Sequence, residues 1–586
     1  MRLCWALVSL VAACRYSAPY LVVTVDAAAG TPSVAQLAVT VSSESSASAS
    51  RTAPATAGAP LTWPQTLSLQ LPDSSQGLFE VDVSALDASG AEVASGSSTA
   101  FVSGDGVIAV AVHVAPPLGD AAAPRPIAPL STSIARTVSP PLAWSLAPGT
   151  DGAFVEICVD RDCAVSLATF FASGSSVTAP NLSPGVVFWR LRGVSGGVIG
   201  AATSPPWELD VGAGAPGSPA LAWGTTLDVN GDGFPDLAGG AADAQSGAGL
   251  VELRLGGASG PGTPTALAAP AGGRFGAALA SAGDVDGDGY ADLVVGAPGA
   301  SSAYLYRGGP SLGAATVIAG PDGGSFGAAV AGAGDVNGDG YADVVVGAPA
   351  AGASGRAYVW LGGASGLAQA PLVLAAPAGS SSFGRFVAGP GDVNGDGFAD
   401  VIVGGDTGPA ALFLGGSGGP SSGAPIAGTS GGALAGAGDF DGDGFADVVV
   451  LGAAPRILRG GANGLAAAWT LPGGTSCASA GDFDRDGFAD VLVGDRGAAS
   501  VSLFLGGAAP GALTPSLTLA SNLASFGAAV ARAGDLDLDG FDDVLVGAPD
   551  ANTVALYRGA PLDAPPSTTP ALDLMDAMGG FGAAVY

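Results

Sequence analysis

A nine-residue acidic pattern, D-x-[DN]-x-D-G-x-x-D, occurs seven times between residues 228 and 543 and constrains the fold more than any other feature of the chain. Successive copies start 43 to 57 residues apart. Each copy is followed by an apolar run such as DLVVGAP, and in six of the seven copies the next run ends in paired glycines. A period near 50 residues with several short strands per unit indicates a β-propeller. We therefore predict an all-β chain with a seven-bladed propeller over residues 216–586.

Each acidic loop offers side-chain oxygens at positions 1, 3, 5 and 9, which a tight turn can direct at one ion. A backbone carbonyl at position 7 and a water would complete six or seven oxygens, the coordination that Ca²⁺ prefers. We predict about seven Ca²⁺ ions with a structural role. The candidate ligands are Asp228, Asn230, Asp232 and Asp236; Asp284, Asp286, Asp288 and Asp292; Asp335, Asn337, Asp339 and Asp343; Asp392, Asn394, Asp396 and Asp400; Asp439, Asp441, Asp443 and Asp447; Asp482, Asp484, Asp486 and Asp490; and Asp535, Asp537, Asp539 and Asp543.

Glycine marks the turn inside each loop. Position 6 is Gly in all seven copies, which predicts a backbone with positive φ there. Position 4 is Gly in five copies but Arg485 and Leu538 in the others, so we expect that position 4 does not need positive φ. Position 7 is always Phe or Tyr, and its ring is expected to pack between blades.

Charge supports ion binding. The chain has 50 acidic residues, 19 Arg and no Lys, for a net charge of −31, and half of the acidic residues occupy ligand positions. Seven Ca²⁺ ions would bring the net charge to −17. The alternative is that these loops are solvated Asp-Gly turns, but seven in register argue against it. We expect the four-carboxylate loops to fill before the Asn-containing ones.

The repeat units resemble FG-GAP repeats, the units of the integrin alpha-subunit propeller and of many bacterial surface proteins. The resemblance rests on the Phe-Gly pairs that open four copies and on the Gly-Ala-Pro at 296–298, 347–349 and 547–549. It implies structural calcium. Pro219, Ser430 and Gly473 depart from it where Phe is expected. The chain ends in FGAAVY at 581–586, which we predict to close the ring beside residues 219–227; the alternative is a truncated tail.

The N-terminus predicts export. Residues 1–13 place one Arg before an apolar stretch, which is typical of a secretory signal peptide. Val11–Cys14 resembles a bacterial lipobox, so Cys14 is a candidate lipidation site and the cell envelope or outer surface the expected location. The alternative is an ordinary signal with an incidental Cys and a secreted protein.

Two smaller β-domains are predicted before the propeller. Residues 14–116 show short runs of period two, which favours an antiparallel β-sandwich, with 42–60 as a mobile loop. Residues 117–124 form a linker, and 125–211 resemble a fibronectin type III-like or related immunoglobulin-like module. Cys158 and Cys163 flank a polar hairpin centre, so they are predicted to form a disulfide in an oxidising compartment; the alternative is two free thiols.

Composition also limits function. The acidic excess excludes nucleic acid as a partner, and a single His leaves little room for His-based catalysis. G-x-S-x-G at 428–432 lacks a strand-turn-helix context. We therefore predict no enzyme but a cell-surface binding or adhesion protein, attached to the membrane only through the lipid. Its partner would be an extracellular protein or glycan.

Two alternatives to this function stay open: an exported scaffold without an external ligand, and an extracellular polysaccharide-acting enzyme. The expected contact surface is the connections between third and fourth strands, such as 256–266 and 362–371, with the ion loops elsewhere. The ligand's identity and the oligomeric state do not follow from the sequence.

Overall fold

The chain is all-β in a computed structural model. The model describes residues 20–27, 33–43, 46–54, 60–71, 77–102, 107–114, 121–129, 133–135, 138–183, 185–211, 221–222, 226–257, 260–268, 272–508, 513–537, 539–561, 570–575 and 581–586. The predicted signal peptide at 1–13 and Cys14 lie outside these residues. Within them no helix has the length and apolar character needed to cross a membrane.

The first domain consists of two sheets that share one core. Its strands are β1 (Tyr20–Ala27), β2 (Gln36–Ser43), β3 (Ser46–Ala53), β4 (Gln65–Gln70), β5 (Gly77–Leu86), β6 (Glu92–Val102) and β7 (Val107–Val114). One sheet has the order β4-β1-β7 and the other β3-β2-β5-β6. Alternate residues such as Val23, Val39 and Val81 are buried between them, as the period of two predicts. The pairing of β1 with β7 is parallel, which the purely antiparallel prediction missed.

The predicted mobile loop at 42–60 is wrong in its first half. Residues Ser46–Ala53 form β3, which pairs antiparallel with β2 at the edge of the sheet. An edge strand needs hydrogen bonds on one side only, so small Ser and Ala residues can form it without an apolar pattern.

The second domain spans ten strands in two sheets. They are β8 (Arg125–Ala128), β9 (Ser133–Ala135), β10 (Pro141–Ser145), β11 (Gly152–Cys158), β12 (Ser166–Ser173), β13 (Ser176–Thr178), β14 (Gly185–Ser195), β15 (Val198–Thr203), β16 (Trp207–Val211) and β17 (Leu221–Ala222). The small sheet has the order β13-β10-β8; the other runs β12-β11-β14-β16-β9-β17, with β15 on β14. Trp144, Trp189 and Trp207 fill the core, the last two edge to face at 5.9 Å.

The repeat region forms four-stranded antiparallel sheets, and the described residues contain seven of them, which we number as blades 1 to 7. The strands of blades 1 to 4 are β18 (Leu237–Ala241), β19 (Leu250–Arg254), β20 (Thr265–Ala268), β21 (Ala278–Gly283), β22 (Asp292–Ala297), β23 (Ser302–Tyr306), β24 (Thr316–Ala319), β25 (Ala329–Gly334), β26 (Asp343–Ala348), β27 (Arg356–Trp360), β28 (Leu372–Ala375), β29 (Phe386–Gly391), β30 (Asp400–Gly404), β31 (Ala411–Phe413) and β32 (Ala424–Pro425). Short helical turns lie at Ala244–Gly247, Pro298–Ala300 and Pro549–Ala551.

Blades 5 to 7 continue the pattern. Their strands are β33 (Leu434–Gly438), β34 (Asp447–Val450), β35 (Arg456–Arg459), β36 (Ala466–Thr470), β37 (Ser476–Gly481), β38 (Asp490–Asp495), β39 (Ser500–Phe504), β40 (Leu517–Ala520), β41 (Ala529–Gly534), β42 (Asp543–Ala548), β43 (Thr553–Tyr557) and β44 (Leu572–Met575), followed by β45 (Ala584–Val585). The second strand of each blade is buried on both faces, which explains its unbroken apolar run. The all-β class and the propeller architecture are confirmed.

The C-terminus closes the ring, but at a different place from the prediction. β45 pairs antiparallel with β18 through Gly239 and Gly240, so it supplies the innermost strand of blade 1. Residues 221–222 instead form β17 and pair with β9 of the second domain. Phe581 and Val585 are buried at this seam. The partial eighth repeat is therefore the missing first strand of the first blade.

Candidate metal centres

Each acidic loop precedes the second strand of its blade, and in blades 2 to 7 it connects the first strand to the second. The first and ninth residues of the loop organise its backbone. In blade 2, Asp284 accepts hydrogen bonds from the N–H groups of Gly287, Asp288 and Gly289 at 2.6 to 3.1 Å. Asp292 accepts from Val285 and from Gly308, the first of the paired glycines. The ninth residue of all seven loops makes this pair of bonds. The acidic residues therefore fix the backbone conformation of the loop in addition to giving it negative charge.

Two positions in the loop have positive φ, not one. Position 6 has φ between +83° and +96° in every copy, which confirms the prediction for that position. Position 4 also has positive φ in the six copies described there, including Arg485 at +61°, so the prediction for position 4 is wrong. Arg485 tolerates a conformation that glycine adopts more readily.

The aromatic ring at position 7 packs on the preceding loop. A Cβ added at Gly442 would lie 2.4 Å from Cε1 of Phe488 in the next blade, and one at Gly231 would lie 2.7 Å from Tyr290. Gly287, Gly338 and Gly395 meet the rings of the following blades in the same way. In the five copies with glycine at position 4, a larger side chain would therefore meet the neighbouring ring, in addition to the strain of positive φ.

Backbone hydrogen bonds also link successive loops. The N–H of Ala291 donates to the carbonyl oxygen of Asp228 at 3.0 Å, and equivalent bonds join each loop to the next from blade 1 to blade 7. A second series runs from the paired glycines, as from Gly309 to Val229. Pro235 occupies the donor position in blade 1 and has no N–H, so this bond cannot form between blades 7 and 1. From blade 1 to blade 7 the loops thus form a connected rim in which each loop is hydrogen-bonded to the next.

Electrostatics favour a cation in these loops. Burial, together with the smaller effect of the charges of Asp284 and Asp286, raises the pKa of Asp292 to about 8, although two backbone hydrogen bonds oppose the rise. Burial likewise raises the pKa of Asp400 and Asp447 to about 8. A divalent ion would remove the cause of these shifts by neutralising the crowded carboxylates.

Unpartnered oxygens provide the fit test. Asp286 Oδ1, Asp441 Oδ1 and Asp484 Oδ2 are buried and accept no hydrogen bond from any described group. Each belongs to the residue at loop position 3, and each lies in a cluster whose ligand oxygens fall within 4.8 Å of one another. The described clusters are Asp284, Asp286 and Asp292; Asp439, Asp441 and Asp447; Asp482, Asp484 and Asp490; and Asp535, Asp537 and Asp539. These donor sets contain only carboxylates, so they fit a hard divalent cation and could bind calcium.

Three arginines that the sequence interpretation missed also reach the loops. Arg307 lies 2.9 Å from Asp286, Arg459 contacts Asp441 and lies 2.8 Å from Asp443, and Arg558 contacts Asp537. All three immediately precede the paired-glycine position at the end of a third strand. The sequence contains a signal for these arginines, because Arg precedes the paired-glycine position only in blades that have Asp at loop position 3.

The second domain covers part of this rim. The guanidinium of Arg161 lies 3.7 Å from the ring centroid of Tyr341 and contacts Gly287, so it sits between the loops of blades 2 and 3. Arg161 is in the hairpin closed by the disulfide between Cys158 and Cys163, with Sγ–Sγ of 2.06 Å. Arg125 stacks on Phe398 of blade 4 at 4.7 Å. The second domain thus contacts the ion loops of blades 2, 3 and 4, so these loops help to fix its orientation on the propeller.

The ion loops and the predicted contact surface lie on the same rim, so their expected separation is wrong. Strands alternate in direction within a blade, which brings the connection between third and fourth strands to the edge that carries the connection between first and second strands. The bond from Gly308 to Asp292 shows this directly. Arg307 also donates to the carbonyl of Ser365 in the next blade's connection at 2.9 Å.

Known families provide the identification. A family model described as FG-GAP-like repeat matches residues 228–295, 284–346, 392–450 and 482–546. The chain is an FG-GAP repeat protein. No curated protein matches it in sequence.

Several solved structures are similar to part of this chain at low identity and low TM-score. A putative 6-phosphogluconolactonase from Bacteroides uniformis ATCC 8492 is 13% identical over 60% of this chain and 98% of its own, with a TM-score of 0.40. AofleA from Arthrobotrys oligospora is 12% identical over 52% and 87%, with a TM-score of 0.33. A quinonprotein alcohol dehydrogenase-like protein from Bacteroides thetaiotaomicron VPI-5482 is 8% identical over 75% and 95%, with a TM-score of 0.31.

The prediction that the chain is not an enzyme is wrong as a conclusion from sequence. Proteins titled as an enzyme or as enzyme-like are among the solved structures that it resembles, so missing catalytic motifs do not exclude activity. At these identities and TM-scores the likeness assigns no reaction to this chain.

Proposed function

We propose that this FG-GAP repeat protein is a calcium-stabilised, exported binding protein of the cell surface that presents its loop rim to a protein or glycan partner. The observation that carries the proposal is the connected rim, in which acidic loops with unpartnered buried oxygens lie directly beside the connections between third and fourth strands. About seven Ca²⁺ ions bound by these loops would hold the neighbouring connections in place. Loops on a rigid scaffold are the usual location of binding residues.

The second domain limits which part of the rim can meet a partner. Its contacts fall on the loops of blades 2, 3 and 4, whereas Gly444 of blade 5 and Gly233 of blade 1 have no neighbouring atom within 4 Å of an added Cβ. Asn463 and Thr263 are exposed in the connections of these two blades. We therefore assign the partner-binding surface to the rim of blades 5, 6, 7 and 1.

A binding screen tests this assignment. Purified protein is applied to glycan and extracellular-protein arrays in Ca²⁺ and in chelator, and signals are compared with those of Asn463→Ala and Asn522→Ala. Asn522 is also exposed but follows β40, on the opposite rim, so it is the matched control. Calcium-dependent binding that Asn463→Ala weakens and Asn522→Ala leaves unchanged is the expected result. Binding that survives chelation, or no binding at all, would count against it.

Export is supported by observations other than those that support partner binding, and it has a separate test. The signal-like residues 1–13 and Cys14 precede a chain with a disulfide between Cys158 and Cys163, and disulfides persist in oxidising compartments. Cell fractionation should find the wild type with membranes and Cys14→Ser in the soluble fraction. If the wild type is found in the soluble fraction with an unmodified mature N-terminus, the lipid anchor is refuted and secretion without an anchor remains as the alternative.

A further inference from the structure

The seven ion loops differ at loop position 3, which is Asn or Asp, and a second difference in the same blade accompanies it. Blades 1, 3 and 4 have Asn at position 3 and Leu before the paired glycines. Blades 2, 5 and 7 have Asp at position 3 and Arg before the glycine position. The Leu residues are Leu255, Leu361 and Leu414, and the Arg residues are Arg307, Arg459 and Arg558. Six loops out of seven thus follow one rule.

Contacts explain the rule. In the Asn loops the side-chain amide donates to the carboxylate at position 5, as from Asn337 to Asp339 at 3.0 Å. In the Asp loops the Arg contacts the additional carboxylate, as Arg307 contacts Asp286 at 2.9 Å. Three carboxylates, or four with one guanidinium, leave the same net charge of about −3 around the ion position. Arginine therefore cancels the charge that Asp adds.

Blade 6 breaks this rule. Asp484 stands at position 3, but Leu505 stands where the other Asp loops have Arg. Arg485 of the same loop donates to the carbonyl of Asp539 and lies over Gly540, so its charge lies against the loop of blade 7. Asp484 is 7% exposed, and its Oδ2 accepts no hydrogen bond from the described residues. The carboxylates of Asp482, Asp484 and Asp490 are all buried within one cluster.

We infer that the Asp482–Asp490 loop of blade 6 is the highest-affinity divalent-cation site of the propeller, and that Arg307, Arg459 and Arg558 hold the other four-carboxylate loops at the affinity of the Asn loops. The inference rests on the proposed calcium function. More ligand charge tightens calcium sites, and a guanidinium beside a site offsets that charge. The expectation that all four Asp-rich loops fill first is replaced by one tight site and six weaker ones.

Exchanging the Leu and Arg positions tests the inference. Ca²⁺ is titrated by isothermal calorimetry into the full chain stripped of metal, and native mass spectrometry counts the ions bound at each concentration. The wild type should show one site about tenfold tighter than the rest. Leu505→Arg should remove that site, whereas Arg459→Leu should create a second tight site in blade 5. Arg456→Leu removes the same charge from the other end of β35 and should change neither count nor affinity.

Asp484→Asn keeps the test valid if Leu505→Arg misfolds, since it removes the same charge from the site by a substitution that blades 1, 3 and 4 contain naturally. It should also abolish the tight site. A tight site that survives Asp484→Asn, or an Arg459→Leu titration equal to that of the wild type, would overturn the inference. If the wild type binds ions with equal affinity, only this inference fails. If it binds none, the proposed function fails as well.

Discussion

Substitution of two glycines in one ion loop separates the cost of backbone strain from the cost of the neighbouring ring. Gly442 and Gly444 of blade 5 have φ of +73° and +88°. An alanine in this left-handed region costs about 1 to 2 kcal/mol. At Gly444 nothing lies within 4 Å of the new Cβ, so Gly444→Ala should lower the free energy of unfolding by only that amount.

Gly442→Ala should cost more, because its Cβ would lie 2.4 Å from Cε1 of Phe488. Overpacking of this kind adds about 1 to 3 kcal/mol, for a total of about 2 to 5 kcal/mol. Urea unfolding in excess Ca²⁺ measures both losses. In a Phe488→Leu background, which lacks that ring carbon, the penalty of Gly442→Ala should fall to that of Gly444→Ala. Equal losses for the two single substitutions would refute the role assigned to the ring.

Three further perturbations test other contacts. Arg161→Ala removes the cation–π contact with Tyr341, worth about 1 kcal/mol, and should speed proteolysis between the second domain and the propeller; unchanged cleavage would contradict the contact. Deletion of 581–586 removes buried Phe581 and Val585, costs at least about 3 kcal/mol, and should abolish hydrogen-exchange protection in β18; retained protection would contradict ring closure. Burial raises the pKa of Asp292 to about 8, so the metal-free protein holds protons at pH 7 that Ca²⁺ must displace. Affinity should therefore rise from pH 6 to pH 9, and calorimetry in buffers of different ionisation enthalpy should show proton release; its absence would contradict the shift.

The features predicted correctly are those that repeat. Asp at position 9 recurs seven times and is a predicted ligand, but its two backbone hydrogen bonds did not follow from the sequence. Gly at position 6 also recurs seven times, and its positive φ could be predicted from the pattern alone. Position 4 could not, because Arg485 and Leu538 suggested that glycine was optional. Arg485 shows instead that a non-glycine residue can take positive φ when the loop around it is fixed by the hydrogen bonds that the Asp482 carboxylate accepts from the N–H groups of Asp486 and Gly487.

Features that depend on distant partners were missed for a different reason. β3 has no apolar period, because it is held by backbone pairing at a sheet edge. Ring closure by residues 581–586 was predicted, but beside residues 219–227, because the actual partner, β18, has no sequence signal for that pairing. The position of the ion loops on the contact rim was predictable, since antiparallel strands place alternate connections at the same edge.

Calcium stoichiometry, measured together with stability, tests the central claim that the acidic loops are ion sites that hold the rim. Native mass spectrometry of the full chain in Ca²⁺ should count about seven ions. At about 1 mM Ca²⁺ and a Kd of about 10 μM, each site adds about 2.7 kcal/mol to the free energy of unfolding, so chelator should lower the unfolding temperature sharply. A protein that binds no Ca²⁺ and unfolds at the same temperature with and without chelator would contradict the account.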